Sequence, residues 1–139
     1  MILKQLTILC FLTLFPLLSG CSDSGYLASK AEDLGNSIDY LMGSMHSLEK
    51  QESLSSSDQR KIVKDIDQVH RSISSFKDVN APWILKKTKK YANEKLTTKD
   101  KKLVKIREKA ERGEATIKDV RKVIDEMEDD FDLKLFNKK

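Results

Sequence analysis

Two cysteines, two histidines and four methionines are the side chains of this 139-residue sequence able to take a metal, a haem iron or an electrophile. Their positions restrict that chemistry. Residues 1–20 carry one charge, Lys4, followed by an apolar stretch over 6–18 that Pro16 interrupts, which is the pattern of a removable secretion signal rather than a membrane span. Cys10 lies inside that segment and Cys21 follows it directly. With Cys10 discarded, the Cys21 thiol is the one nucleophile of its kind left. If Cys21 is itself modified, the rest of the chain can form no disulfide, thiolate metal site or cysteine nucleophile. No Gly-x-Ser-x-Gly turn and no glycine-rich phosphate loop occurs, so the expectation is a protein that is not an enzyme. The acidic run 125–132 lacks the glycine and alternating ligands of a calcium loop, and on a helix its carboxylates would point to different sides.

Leu18-Ser19-Gly20-Cys21 resembles the lipobox of bacterial lipoproteins. That resemblance implies cleavage before Cys21 and acylation of both its sulfur and its new amine, with three acyl chains making release from a membrane negligible. By analogy with Gram-negative sorting, Ser22 stands where an aspartate would retain the protein in the inner membrane. The implied location is therefore the outer membrane, periplasmic face. An uncleaved anchor or an ordinary signal peptide is the alternative. Residues 21–26 are expected to be a lipidated cysteine with a short polar tether, Ser22-Asp23-Ser24-Gly25, spanning roughly 14 Å if extended. The remainder, 27–139, is expected to be one domain.

That domain reads as all-α. Leu27, Ala31, Leu34, Ile38, Leu41, Met45 and Leu48 step alternately by four and three, the spacing of one helix face. Gly35 and Gly43 fall within it, either permitting close packing or marking a weak point. After a serine-rich loop over 52–57, Ser56 and Gln59 have capping-box spacing and open a second stripe, Ile62, Ile66, Val69, Ile73 and Phe76. Pro82 stops it. A third helical region over 83–112 carries Ile84, Leu85, Tyr91, Ala92, Leu96, Leu103, Ile106 and Ala110, with a break or kink expected at Thr97-Thr98-Lys99-Asp100 and a C-cap at Gly113. Thr116 precedes a fourth stripe of Ile117, Val120, Ile124, Met127 and Phe131. Four such segments with short connections predict an up-down-up-down four-helix bundle.

Leu48-Glu49-Lys50, Val63-Lys64-Asp65, Arg71, Ala81-Pro82 and Ala110-Glu111-Arg112-Gly113 fall at spacings that resemble the cytochrome b562 family of periplasmic four-helix bundles. The resemblance implies a haem-binding electron carrier, the alternative function. In that register, however, the methionine and histidine that hold the family's iron fall on Ile38 and the stretch 133–135, which cannot ligate it. Substitute ligands would come from Met42, Met45, His46, His70 or Met127. Antiparallel first and last helices set His46 level with about residue 118, roughly 13 Å from Met127 along the axis. His70 and Met127 share a height and are the better pair, against the plainer reading of a boundary histidine and a gap-filling methionine. The expectation is no resident cofactor and no metal.

Charge is uneven. Residues 83–112 hold twelve Lys/Arg against four acids, and residues 114–132 hold eight acids against three bases. Neighbouring helices of opposite sign should pair, each exposed pair being worth about 0 to 1 kcal/mol. Lys86, Lys87, Lys89 and Lys90 are candidate contacts to anionic lipid headgroups or an acidic partner. Trp83 is expected to anchor the core at a helix start, or else to join Leu133, Leu135 and Phe136 in contacting a partner. A formal charge of +4 and lysines without interleaved aromatics exclude nucleic acid. The functional expectation is a membrane-anchored, periplasm-facing lipoprotein whose bundle binds a protein partner without catalysing a reaction.

Overall fold

The computed structural model describes residues 22–128, and these form four helices with no strand among them. They are α1 (Ser22–Leu48), α2 (Ser56–Asp78), α3 (Lys86–Glu111) and α4 (Ile117–Glu128), with a 3₁₀ turn at Trp83–Leu85. The leader over 1–20, Cys21, and the tail with Phe131, Leu133, Leu135 and Phe136 lie outside the described residues.

Each helix packs on its neighbours in sequence, and α4 closes the ring against α1. The predicted stripes supply the core: Leu27, Leu34, Leu41 and Met45 from α1, Ile62, Ile66, Val69 and Phe76 from α2, Leu96 and Leu103 from α3, and Val120 and Ile124 from α4 are all buried, joined by Val123, which the fourth stripe left out. Cross-helix bonds fix the directions. Ser37 Oγ lies 2.7 Å from Ser72 Oγ, and Ser44 Oγ donates to Asp65 Oδ2 at 2.6 Å, so α1 and α2 run antiparallel. Arg107 pairs with Asp67, and Lys77 Nζ donates to Thr97 Oγ1 at 2.8 Å, so α2 and α3 do too.

The opposite charges of α3 and α4 meet as expected. Lys109 Nζ lies 2.9 Å from Asp119 and Lys102 Nζ 2.6 Å from Glu126, while Lys99 donates to the Glu126 carbonyl.

Local chemistry departs from the sequence expectation at three places. The tether is not extended: Ser22 to Gly25 are the first turn of α1. Over those four residues a helix rises only about 6 Å, against the roughly 14 Å of a strand-like tether.

The cap of α2 is Ser55 rather than Ser56. Asp58 takes the N3 role, its Oδ2 accepting from Ser55 N at 2.8 Å. Gln59 is thereby released into the core, where Nε2 donates to Ala115 O at 2.7 Å.

Third, α3 runs unbroken through residues 97–100. Thr97 and Thr98 turn their hydroxyls back onto the carbonyls of Asn93 and Glu94, which satisfies them without ending the helix.

Gly113 does end α3. Its φ is 71°, and the two bonds Gly113 N to Ala110 O and Glu114 N to Lys109 O complete a Schellman motif. Gly35 and Gly43 are different, because a Cβ built at either meets nothing within 4 Å. Close packing does not explain them. Gly35→Ala and Gly43→Ala should each raise stability by about 0.5 to 1 kcal/mol, whereas Gly113→Ala should lower it by about 1 kcal/mol; urea denaturation separates the two signs.

The start of α4 repeats the Ser55 device. Asp119 Oδ2 accepts from Thr116 N at 3.1 Å and from Thr116 Oγ1 at 2.9 Å, and its Oδ1 faces Lys109. Burial by itself would raise the Asp119 pKa, but the Lys109 ammonium and the Thr116 donors outweigh it and hold the carboxylate below its ordinary value. A carboxylate depressed in the folded state stabilises fully above the ordinary value of about 3.9, and the contribution is lost as pH falls through the folded value. Stability of Asp119→Asn, followed by thermal melts in acid, should therefore fall less steeply than that of the parent as pH drops below about 4.

Candidate binding end of the bundle

The helix directions bring the start of α1, the 79–85 connection and the first turns of α3 to one end of the bundle. The connection divides its side chains by chemistry. Val79, Ala81 and Leu85 pack against the core. Trp83 and Ile84 face outward, 82% and 69% exposed. The expectation that Trp83 anchors the core is thus corrected. Pro82 holds an extended conformation before the turn, and Leu85 N donates to Pro82 O at 2.9 Å, so Leu85 is the side chain turned inward. Tyr91, assigned to the apolar stripe, is also exposed. The inward positions of α3 at this end are Lys89, Ala92 and Leu96 instead.

The four candidate lysines separate too. Lys86, Lys87 and Lys90 are exposed, but Lys89 is only 5% exposed. Lys89 Nζ donates to Lys77 O at 3.1 Å and Asn93 Oδ1 at 3.0 Å, and it lies 4.7 Å from the Phe76 ring centroid. Two of its three protons are placed on neutral acceptors, with an aromatic face alongside. Burial pushes its pKa down; Asp78 works against that and the charge of Lys77 adds to it. Sequence spacing placed Lys89 with its basic neighbours. Its helical position, three residues before Ala92 and seven before Leu96, points it instead to the α2–α3 seam.

Lys89 lies in the wall of an open cleft of about 840 Å³ between the end of α2 and the start of α3. Lys77, Lys86 and Lys90 line the same cleft, with Glu94 as its acid, and Asn80, Asn93, Thr97 and Thr98 supply neutral polar groups. A site of this composition favours an anion by charge and offers amide and hydroxyl partners for its oxygens.

Each candidate haem ligand has its own protein neighbours, and His46 lies beside the turn of α4 that carries Met127. His70 Nδ1 lies 2.8 Å from Asp100 Oδ1 at the α2–α3 seam. Met127 is half-buried and packs against the core from α4, which sits on α1 and α3. Met45 is fully buried, and Met42 packs on the core beside it. His46 does not sit level with residue 118: its Nδ1 is 3.0 Å from Glu49 Oε1 and its Nε2 is 3.8 Å from Glu128 Oε1. A height scale drawn for parallel axes fails because packed helices cross obliquely. Among the described residues, no group of three or more His, Cys, Asp or Glu side chains could hold a metal.

A second cleft, of about 570 Å³, lies on the α1–α2 flank and is walled by Lys30, Asp33, Tyr40, Gln68 and Arg71. Tyr40 is exposed there with the Lys61 ammonium 5.3 Å from its ring centroid. No helix among the described residues is long and apolar enough to cross a membrane.

Comparison of the chain with protein-family models, curated proteins and solved structures finds no match.

A buried ammonium with neutral partners costs stability, so Lys89→Met should raise the thermal midpoint by a few degrees near neutral pH. Because the folded-state pKa is lowered, the parent's deficit is full below that value and shrinks as pH rises through it. Melting curves of the two proteins should accordingly converge toward alkaline pH.

Proposed function

We propose that this chain is a lipid-anchored module of the bacterial envelope, held to the periplasmic face of the outer membrane by Cys21, whose bundle engages a protein partner without catalysing a reaction. The supporting observation is that the described residues are already helical at Ser22, the residue after the acylation candidate, with no extended tether from there on. Helical residues so close to the anchor leave no slack between it and the bundle, so the module stands end-on at the bilayer and its long flanks face the aqueous space. The α1–α2 flank, with exposed Tyr40 and Arg71 around a polar cleft, suits a partner bound through hydrogen bonds and an aromatic contact.

Two measurements test this reading. Expressed with its leader in a Gram-negative host, the protein should yield a mature amino terminus at Cys21 carrying acyl chains by mass spectrometry. Cys21→Ser should leave the leader attached and abolish palmitate labelling. Photo-crosslinkers at positions 40 and 71 should capture one predominant protein, and capture should weaken about tenfold with Arg71→Glu if the contact is a hot spot. An unmodified Cys21 sinks the anchoring, and crosslinks spread over many abundant bystanders sink the partner.

A further inference from the structure

Some cations of α3 are tied to neighbouring helices, while Lys95, Lys101 and Lys105 along its length are exposed without an ion pair among the described residues. Toward its C-terminal end Lys99, Lys102, Arg107 and Lys109 are engaged by α4 and α2 through Glu126, Asp67 and Asp119. Lys86, Lys87 and Lys90, in the first two turns, are exposed and make no ion pair among the described residues. They lie directly after the outward-facing Trp83 and Ile84. Tyr26, 57% exposed, stands at the same end of the bundle on the second turn of α1, about 6 Å along the axis from Ser22. Two large apolar groups, an amphipathic aromatic and three unpaired cations thus share the end from which the chain runs back to Cys21.

We infer that this end is a membrane-docking surface, with Trp83 and Ile84 set into the headgroup region of an anionic phospholipid bilayer and Lys86, Lys87 and Lys90 against its phosphates. Tryptophan and tyrosine favour that depth because the ring is apolar and its N–H or O–H stays hydrated. Lysines beside an anionic leaflet add an attraction that salt weakens. Charge complementarity and the position of the amino terminus choose the bilayer over other occupants of the surface. Glu94 in the adjoining cleft and Asp78 at the end of α2 are too few against Lys77, Lys86, Lys87, Lys89 and Lys90 to reverse the sign. The inference rests on the anchored reading for its orientation, but the surface chemistry does not need the acyl chains. It adds that the bundle has a fixed tilt at the membrane, which keeps the α1–α2 flank open to solution.

Trp83 is the sole tryptophan, so intrinsic fluorescence reads this position alone. The acylated protein is reconstituted into vesicles of phosphatidylethanolamine with phosphatidylglycerol, or of phosphatidylcholine alone, with acyl chains brominated near the headgroup. In the anionic vesicles Trp83 emission should shift to the blue and be quenched by the brominated lipid, and added salt should partly reverse both. In phosphatidylcholine it should stay close to its value in water. Replacing Lys86, Lys87 and Lys90 together by Glu should return the emission to the water-like value while the protein still floats with the vesicles. The same triple change in an unacylated chain made without residues 1–20 and with Cys21→Ser should weaken binding to anionic vesicles about tenfold or more. Far-ultraviolet circular dichroism checks that the variants keep their helices.

Water-like, unquenched emission in both vesicle types overturns the inference, as does a blue shift produced by polyglutamate and not by lipid, which would assign the surface to an acidic protein. Failure of the acylated sample to float overturns the anchoring alone, since titrating the unacylated chain with anionic vesicles still decides the docking surface.

Discussion

Four apolar stripes leave water only by facing one another, and that requirement organises the molecule. Leu34 and Leu41 of α1, Ile66 and Phe76 of α2, Leu103 of α3 and Val120 of α4 meet in one interior, and antiparallel order follows from connections too short to carry the chain back along a helix. Burial of this kind is worth roughly 1.5 to 3 kcal/mol for each large side chain, far more than any surface ion pair. The ends of the helices are therefore assigned before charge has any say. Which residues share the end with the amino terminus is a consequence of core packing.

Polar groups inside the bundle refine this arrangement. Ser44 and Asp65, and Ser37 and Ser72, tie α1 to α2 at two heights, which fixes register where leucine packing alone tolerates slippage. Asp65 is almost fully buried; Lys61 and Ser44 both reach its Oδ2, and Oδ1 has no partner among the described residues. Gln59 joins the first turn of α2 to the residue before the Thr116 cap, so the end opposite the amino terminus is closed by a hydrogen bond between a helix start and a loop far apart in sequence. The two ends consequently differ. One is sealed by caps and ion pairs, and the other presents the Trp83–Ile84 corner and the basic cleft.

This difference gives the proposed anchoring a mechanical sense. Helical structure directly beside a membrane anchor would transmit the orientation of the bilayer to the whole bundle, whereas an extended linker would lose it. An aromatic corner and unpaired lysines at the same end would hold the tilt. The flanks are left as the surfaces on which a partner can act.

The sequence by itself determined the helical class, most of the stripes, the Gly113 stop and the opposed charges of α3 and α4, because each is written in spacings of a few residues. It misassigned what depends on neighbours. Ser56 looked like the cap until Asp58 reached Ser55, and a kink at Thr97 looked natural until its hydroxyl found the Asn93 carbonyl. Lys89 counted as one more surface lysine, and Trp83 as core, because composition and period do not say which face the third helix turns inward at its first turn. His46 was placed against residue 118 by treating the helices as parallel rods. Tertiary structure alone decided these points. Side-chain burial is settled by whatever helix lies across the seam, and an oblique crossing changes that neighbour from one turn to the next.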